Sequence, residues 1–160
     1  MTFSIFIPHY SFYSIHFTLY IQPSMNYTIE KNEQYALIRL AENTFGDDIS
    51  IDFETLSRGL FREGYSNVIV DMAPVQTVDS AGVTILRKIN RQCTNEEGLL
   101  IVVTKDDDLI EFLDTSHLSD LTILPTVEEA IDAVFMNELE NDFRSEEDDE
   151  YDAGGSVGRE

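Results

Sequence analysis

A chain of 160 residues has room for one domain with extensions, since a typical domain takes about 100 to 200 residues. Its formal net charge of −21 divides into −8 over residues 137–160 and −13 upstream, so the body is acidic even without its tail. Such a surface repels phosphate backbones and anionic headgroups, which argues against direct binding to nucleic acid or an acidic membrane and routes any transcriptional role through a protein partner.

Residues 1–24 carry no Lys, Arg, Asp or Glu, yet they lack the basic start of a secretory signal and are broken by Ser, Thr, His and Pro. They also fall short of the roughly 20 mainly apolar residues of a transmembrane helix. The segment is expected to be disordered or to reflect a start placed too early, with Met25 as the true initiator. A peripheral membrane tether is the alternative, since its aromatics suit an interface. The candidate domain is residues 25–136, and 137–160 is expected to be an acidic disordered tail, with too little apolar surface to offset the entropy of ordering it.

In chain order, Tyr27 to Glu30 and Tyr35 to Leu40 read as two strands joined by the polar connection Lys31-Asn32-Glu33-Gln34. A polar segment runs from Ala41 to Asp52. Phe53, Leu56, Leu60 and Phe61 then mark one face of a helix ending near Gly64. Asn67 to Met72 reads as a buried strand. Val83, Leu86, Ile89 and Cys93 form an apolar helical stripe that stops among Thr94 to Gly98. Leu99 to Val103 is again a strand without period-two alternation. Leu109, Ile110, Phe112 and Leu113 are the next helical face, with Asp106, Asp107 and Asp108 as its acidic first turn rather than a carboxylate site. Leu121 to Leu124 is a short strand, and Val127, Ala130, Ile131, Val134 and Phe135 are the last helical face.

Two strands followed by alternating helices and strands predict an α/β fold, a mixed sheet of about four to five strands with helices packed against it and parallel pairs made through right-handed crossovers. Strands this apolar must be covered on both faces or nearly so.

Cys93 is the only cysteine, so an internal disulfide is excluded, and its spacing from Ile89 makes it a small buried apolar group; the cytoplasm suits it best. His9, His16 and His117 are scattered, and no metal or other cofactor is predicted.

Ser80 stands where the Asn67 to Met72 strand gives way to the next helix. Its hydroxyl is the best N-cap candidate in the chain, poised to accept the N–H of Gly82 or Val83. A phosphate there would meet the partial positive charge and free N–H groups of a helix N-terminus, so the fold should survive it. The added charge, about −1.5 to −2, would repel a partner built around the bare hydroxyl. Arg87, Lys88 and Arg91 lie on the helix that Ser80 opens, either as its solvated face or as docking contacts for an acidic partner. No Gly-x-Ser-x-Gly elbow, Gly-rich phosphate cradle or Gly-Lys-Ser/Thr sequence is present, so no enzyme is read here.

The stretch Asn67 to Met72, then Val75 to Val83 with Asp79-Ser80-Ala81-Gly82 inside it, resembles the STAS domain family of bacterial anti-sigma-factor antagonists. The similarity continues through Gly98 to Val103 and Leu109 to Val134, so it covers roughly Met25 to Phe135. The resemblance implies a phosphoacceptor at Ser80, with Asp79 preceding it and Gly82 in the turn. It also implies partner switching: the unphosphorylated protein binds an anti-sigma factor with serine kinase activity and frees a sigma factor, phosphorylation releases that partner, and a metal-dependent serine phosphatase resets the switch. ATP and metal then belong to the partners. Two departures stand out. Residues 41–48 are longer than, and unlike, the family's usual Gly-Glu-Leu/Ile-Asp-like segment, and Ala81 replaces the Ser or Thr of many relatives, leaving one hydroxyl as acceptor.

Two other readings remain at this point. In a two-component receiver domain Asp71, at a strand end, would carry an aspartyl phosphate, although Arg39-Leu40-Ala41-Glu42 lacks the acidic pair and Thr122-Ile123-Leu124-Pro125 the lysine that family needs. In a phosphorylation-independent adaptor or scaffold, the Arg87 to Arg91 helix and the acidic tail would recruit a partner.

Overall fold

The computed structural model describes residues 25–118 and 120–155. The expectations for residues 1–24 and for the last five residues lie outside them. In chain order the elements are β1 (Tyr27–Lys31), β2 (Ala36–Leu40), β3 (Thr44–Phe45), α1 (Asp47–Arg62), β4 (Val68–Asp71), β5 (Thr77–Val78), α2 (Ser80–Asn95), β6 (Leu100–Val103), α3 (Asp107–Thr115), β7 (Thr122–Leu124) and α4 (Val127–Gly155).

β1 and β2 form an antiparallel hairpin, and β2, β4, β6 and β7 follow in parallel, so the five-stranded mixed sheet has the order β1-β2-β4-β6-β7. This is the expected α/β architecture. Successive strand side chains point to opposite faces. Ile38, Val70 and Val102 therefore line up across three strands on one face, and Leu37, Ile69 and Ile101 on the other. The first row packs with Phe53 and Leu60 of α1, Leu86 and Ile89 of α2, and Leu109 and Leu113 of α3. The second packs under Ala130 and Val134 of α4. Three helices thus cover one face and one covers the other, which is why these strands are apolar throughout.

Asn67 ties the sheet to α4 from a fully buried position. Its Oδ1 accepts the Leu99 N–H at 2.9 Å, and its Nδ2 donates to the Gln34 carbonyl at 2.9 Å and to Glu138 Oε1 at 2.7 Å.

Two features differ from the sequence reading. First, the polar stretch Ala41 to Asp52 contains β3 and the opening turns of α1, and β5 follows β4 on a segment with no strand signal; β3 and β5 pair in parallel as a separate two-stranded sheet. Two-residue strands carry no apolar period to find, whereas Ile49, buried four residues before Phe53, does extend the α1 stripe into its first turn, where Asp47, Asp48 and Ser50 mask it. Second, α4 continues through the acidic stretch expected to form a disordered tail. Asn137 and Asn141 each donate through Nδ2 to the Glu97 carbonyl, at 2.9 and 2.8 Å, and Glu138 is held by Asn67. The turns just beyond the apolar stripe are thus fastened by polar contacts that composition does not reveal. Among the described residues no helix is long and apolar enough to cross a membrane.

Candidate functional site at the paired helix N-termini

The small β3–β5 sheet positions the site. Phe45 lies beside Val78 in register, and the Asp79 N–H donates to the Phe45 carbonyl at 3.2 Å. α1 begins two residues after Phe45 and α2 two residues after Val78, so the helices start side by side. They stay adjacent further along, where Lys88 Nζ of α2 donates to Glu54 Oε1 of α1. The positive ends of two parallel helices are therefore brought together, which would be repulsive without an anion between them.

Asp79 is that anion. Its Oδ1 accepts the Gly82 N–H at 2.9 Å and its Oδ2 accepts the Asp47 N–H, the first of α1, at 3.1 Å. Hydrogen bonds from the Gly82, Asp47 and Ala81 amides outweigh desolvation and hold its carboxyl below the usual 3.8. Gly46 supplies no side-chain cap to α1, so one carboxylate serves both helices.

The expected cap is therefore corrected: Asp79, not Ser80, caps α2. Asp79 has the extended backbone of an N-cap, φ −93° and ψ −177°, whereas Ser80 is already the first helical residue. Ser80 is exposed, and among the described residues its hydroxyl has no protein partner; only its carbonyl is engaged, by Thr84 Oγ1 at 2.9 Å. The amides that a phosphate was expected to find free are also largely spoken for, since Gly82 and Ala81 serve the Asp79 carboxylate and Val83 N–H donates to the Asp79 carbonyl.

Gly82 has a steric role. A Cβ there would lie 2.3 Å from the Phe45 carbonyl oxygen and 2.8 Å from Val78 Cγ1. Gly46 is under the same pressure, with a virtual Cβ 2.1 Å from Asp79 Oδ2. Both glycines let the strand ends close around Asp79.

The three basic candidates do not form one patch. Lys88 faces α1 and its ion pair with Glu54, which Arg58 Nη2 also joins at 3.0 Å. Arg87 faces α3, donating through Nη2 to the Ser116 carbonyl at 3.3 Å, and lines a cavity of about 210 Å³ with Arg91, Asn90 and Asp120.

Asp71, the acceptor in the receiver reading, sits opposite Arg39 on β2 and is bonded to its Nη1 at 3.1 Å. A receiver domain has the all-parallel flavodoxin-like order 2-1-3-4-5. The antiparallel β1 at the edge here is a different topology, so that alternative falls on the fold.

Residues 26–130 match the STAS domain family, and the chain belongs to it. No curated protein matches the sequence significantly. Among solved structures, an anti-sigma factor antagonist from Mycobacterium paratuberculosis is similar with a TM-score of 0.60 at 17% identity, covering 70% of this chain and 95% of that one. The Bacillus cell fate determinant SpoIIAA in its phosphorylated form gives 0.55 at 20% identity, over 68% and 99% of the two chains. The murine anion transporter Slc26a9 gives 0.58 at 12% identity, covering 77% of this chain and 24% of that one. At such identities the likeness concerns the fold, which recurs in the antagonists and in about a quarter of the transporter chain.

Proposed function

We propose that this protein is an anti-sigma-factor antagonist, a binding protein rather than an enzyme, that works by partner switching in the cytoplasm. Unphosphorylated at Ser80, it binds an anti-sigma factor with serine kinase activity; phosphorylation of Ser80 releases that partner, and a serine phosphatase restores the hydroxyl. The observation that carries the reading is the Ser80 hydroxyl itself, exposed and unpartnered among the described residues at the first position of α2. A purely structural serine at this junction would serve as the cap, and Asp79 does that instead.

The electrostatics support release by charge. Each helix N-terminus is equivalent to about half a positive charge, and the Asp79 carboxylate together with Asp47 and Asp48 in the first turn of α1 already offsets the two ends that meet there. A phosphate adding about −1.5 to −2 charges beside it finds no surplus positive potential and stands out toward the partner. The fold should survive the change, because among the described residues the Ser80 hydroxyl makes no hydrogen bond that would be lost.

The test is incubation with an anti-sigma-factor kinase and labelled ATP. Acid-stable label is expected on the wild type and none on Ser80→Ala, and Ser80→Asp should remain folded by circular dichroism while binding the kinase at least about tenfold more weakly, a difference of 1.4 kcal/mol. Acid-stable label that persists in Ser80→Ala, or undiminished binding by Ser80→Asp, would sink the proposal. The adaptor reading predicts the latter outcome.

A further inference from the structure

The outward side of α4 carries an apolar stripe that the regulatory reading does not use. Phe135, Met136, Leu139 and Phe143 are 41%, 60%, 52% and 65% exposed, whereas Ala130 and Val134 on the opposite side of the helix are fully buried. At 100° per residue these four fall within one third of the helix circumference, directly away from the sheet. Isolated exposed apolar residues need no explanation, but four contiguous ones on a single helical face mark a docking surface.

The surroundings of the stripe say what fits it. Glu140 and Asp142 flank it on either side, Asp132 lies before it, and Glu146 and Glu147 after it, all exposed. Arg144 is the single base in residues 128–147. A second copy of this chain would bring like charge against like around the apolar contact, and the uncharged residues 1–24 would leave the acidic border unmatched. A segment with its own apolar stripe and a basic margin satisfies both features.

We propose that the exposed face of α4 is a second docking surface, which receives a basic amphipathic helix of a partner protein. It lies on the opposite side of the sheet from α2, because α4 covers the Leu37–Ile69–Ile101 face and α2 the other. The two surfaces can be occupied together, and occupancy of α4 is independent of the charge on Ser80.

The probe is a fluorescent Leu/Lys peptide with leucines at i, i+3, i+4 and i+7, titrated with the full chain and followed by anisotropy. A scrambled peptide of the same composition is the control for charge attraction alone. The double variant L139Q/F143Q keeps net charge and helix propensity, and should weaken binding by about tenfold or more. Ile51→Gln, at an exposed apolar position on α1, and Ser80→Asp should leave it unchanged. Equal affinity of the double variant, or of the scrambled peptide, overturns the proposal. So does a wild-type dimer in sedimentation that the double variant abolishes, since the occupant would then be a second copy.

Discussion

Replacing Asp79 by alanine removes one carboxylate from two helix N-termini. Oδ1 holds the Gly82 N–H at 2.9 Å and Oδ2 the Asp47 N–H at 3.1 Å. Loss of an Asp cap costs about 1 kcal/mol, and the bond to α1 adds about 0.5–1 kcal/mol at an exposed site. The expected loss is about 2 kcal/mol, or about 8 °C in Tm for a domain of this size. Thermal and urea unfolding followed by circular dichroism measure it, with Ser80→Ala alongside. That substitution should cost less than about 0.5 kcal/mol, because the Ser80 side chain is exposed and its hydroxyl has no partner among the described residues.

The pH dependence gives a second reading of the same contacts. Asp79 titrates below its ordinary 3.8 in the folded state because three amides favour the charged form. A carboxyl depressed in this way contributes stability above its unfolded pKa, and that contribution is lost as pH falls through the folded value. The gap between wild type and Asp79→Ala should be full at neutral pH, begin to shrink near pH 4, and close below it. If Ser80→Ala destabilises as much as Asp79→Ala, or if the gap persists undiminished in acid, the assignment of the cap is wrong.

Gly82→Ala separates helix propensity from packing. Propensity alone would favour alanine by about 1 kcal/mol, whereas a Cβ 2.3 Å from the Phe45 carbonyl forces backbone movement and a net loss of about 1–3 kcal/mol, measurable by urea denaturation. Cys93 is fully buried and desolvation pushes its thiol up to about 12. Since the thiolate is the reactive form, the native protein at pH 8 should leave a thiol reagent unreacted, and one thiol per chain should appear on adding denaturant; prompt reaction of the native protein would contradict the burial.

Most of the architecture was legible in the chain because it rests on long apolar signals. The runs Asn67 to Met72 and Leu99 to Val103 read as strands covered on both faces or nearly so, and the stripes of α1, α2 and α3 appear at helical spacing. The Asp-Ser-Ala-Gly segment likewise drew attention to the junction where α2 starts. What stayed hidden was short or polar. The strands Thr44–Phe45 and Thr77–Val78 are too brief to show a period, and Asn137 and Asn141 gave no sign that α4 continues beyond its buried stripe.

Element order, the apolar strands and the place of the serine at a strand-to-helix junction follow from local periodicity and from which segments must leave water, whereas the strand register and the division of helices between the two faces do not. Which residue caps the helix there is settled by the fold. Asp79 and Ser80 are adjacent and both are good caps, and the choice depends on where β5 ends relative to α2. The amide of Asp47, distant in the chain, also reaches the carboxylate only once β3 and β5 have paired. That long-range contact turns a local capping motif into a shared anion between two helices, and leaves the neighbouring hydroxyl exposed.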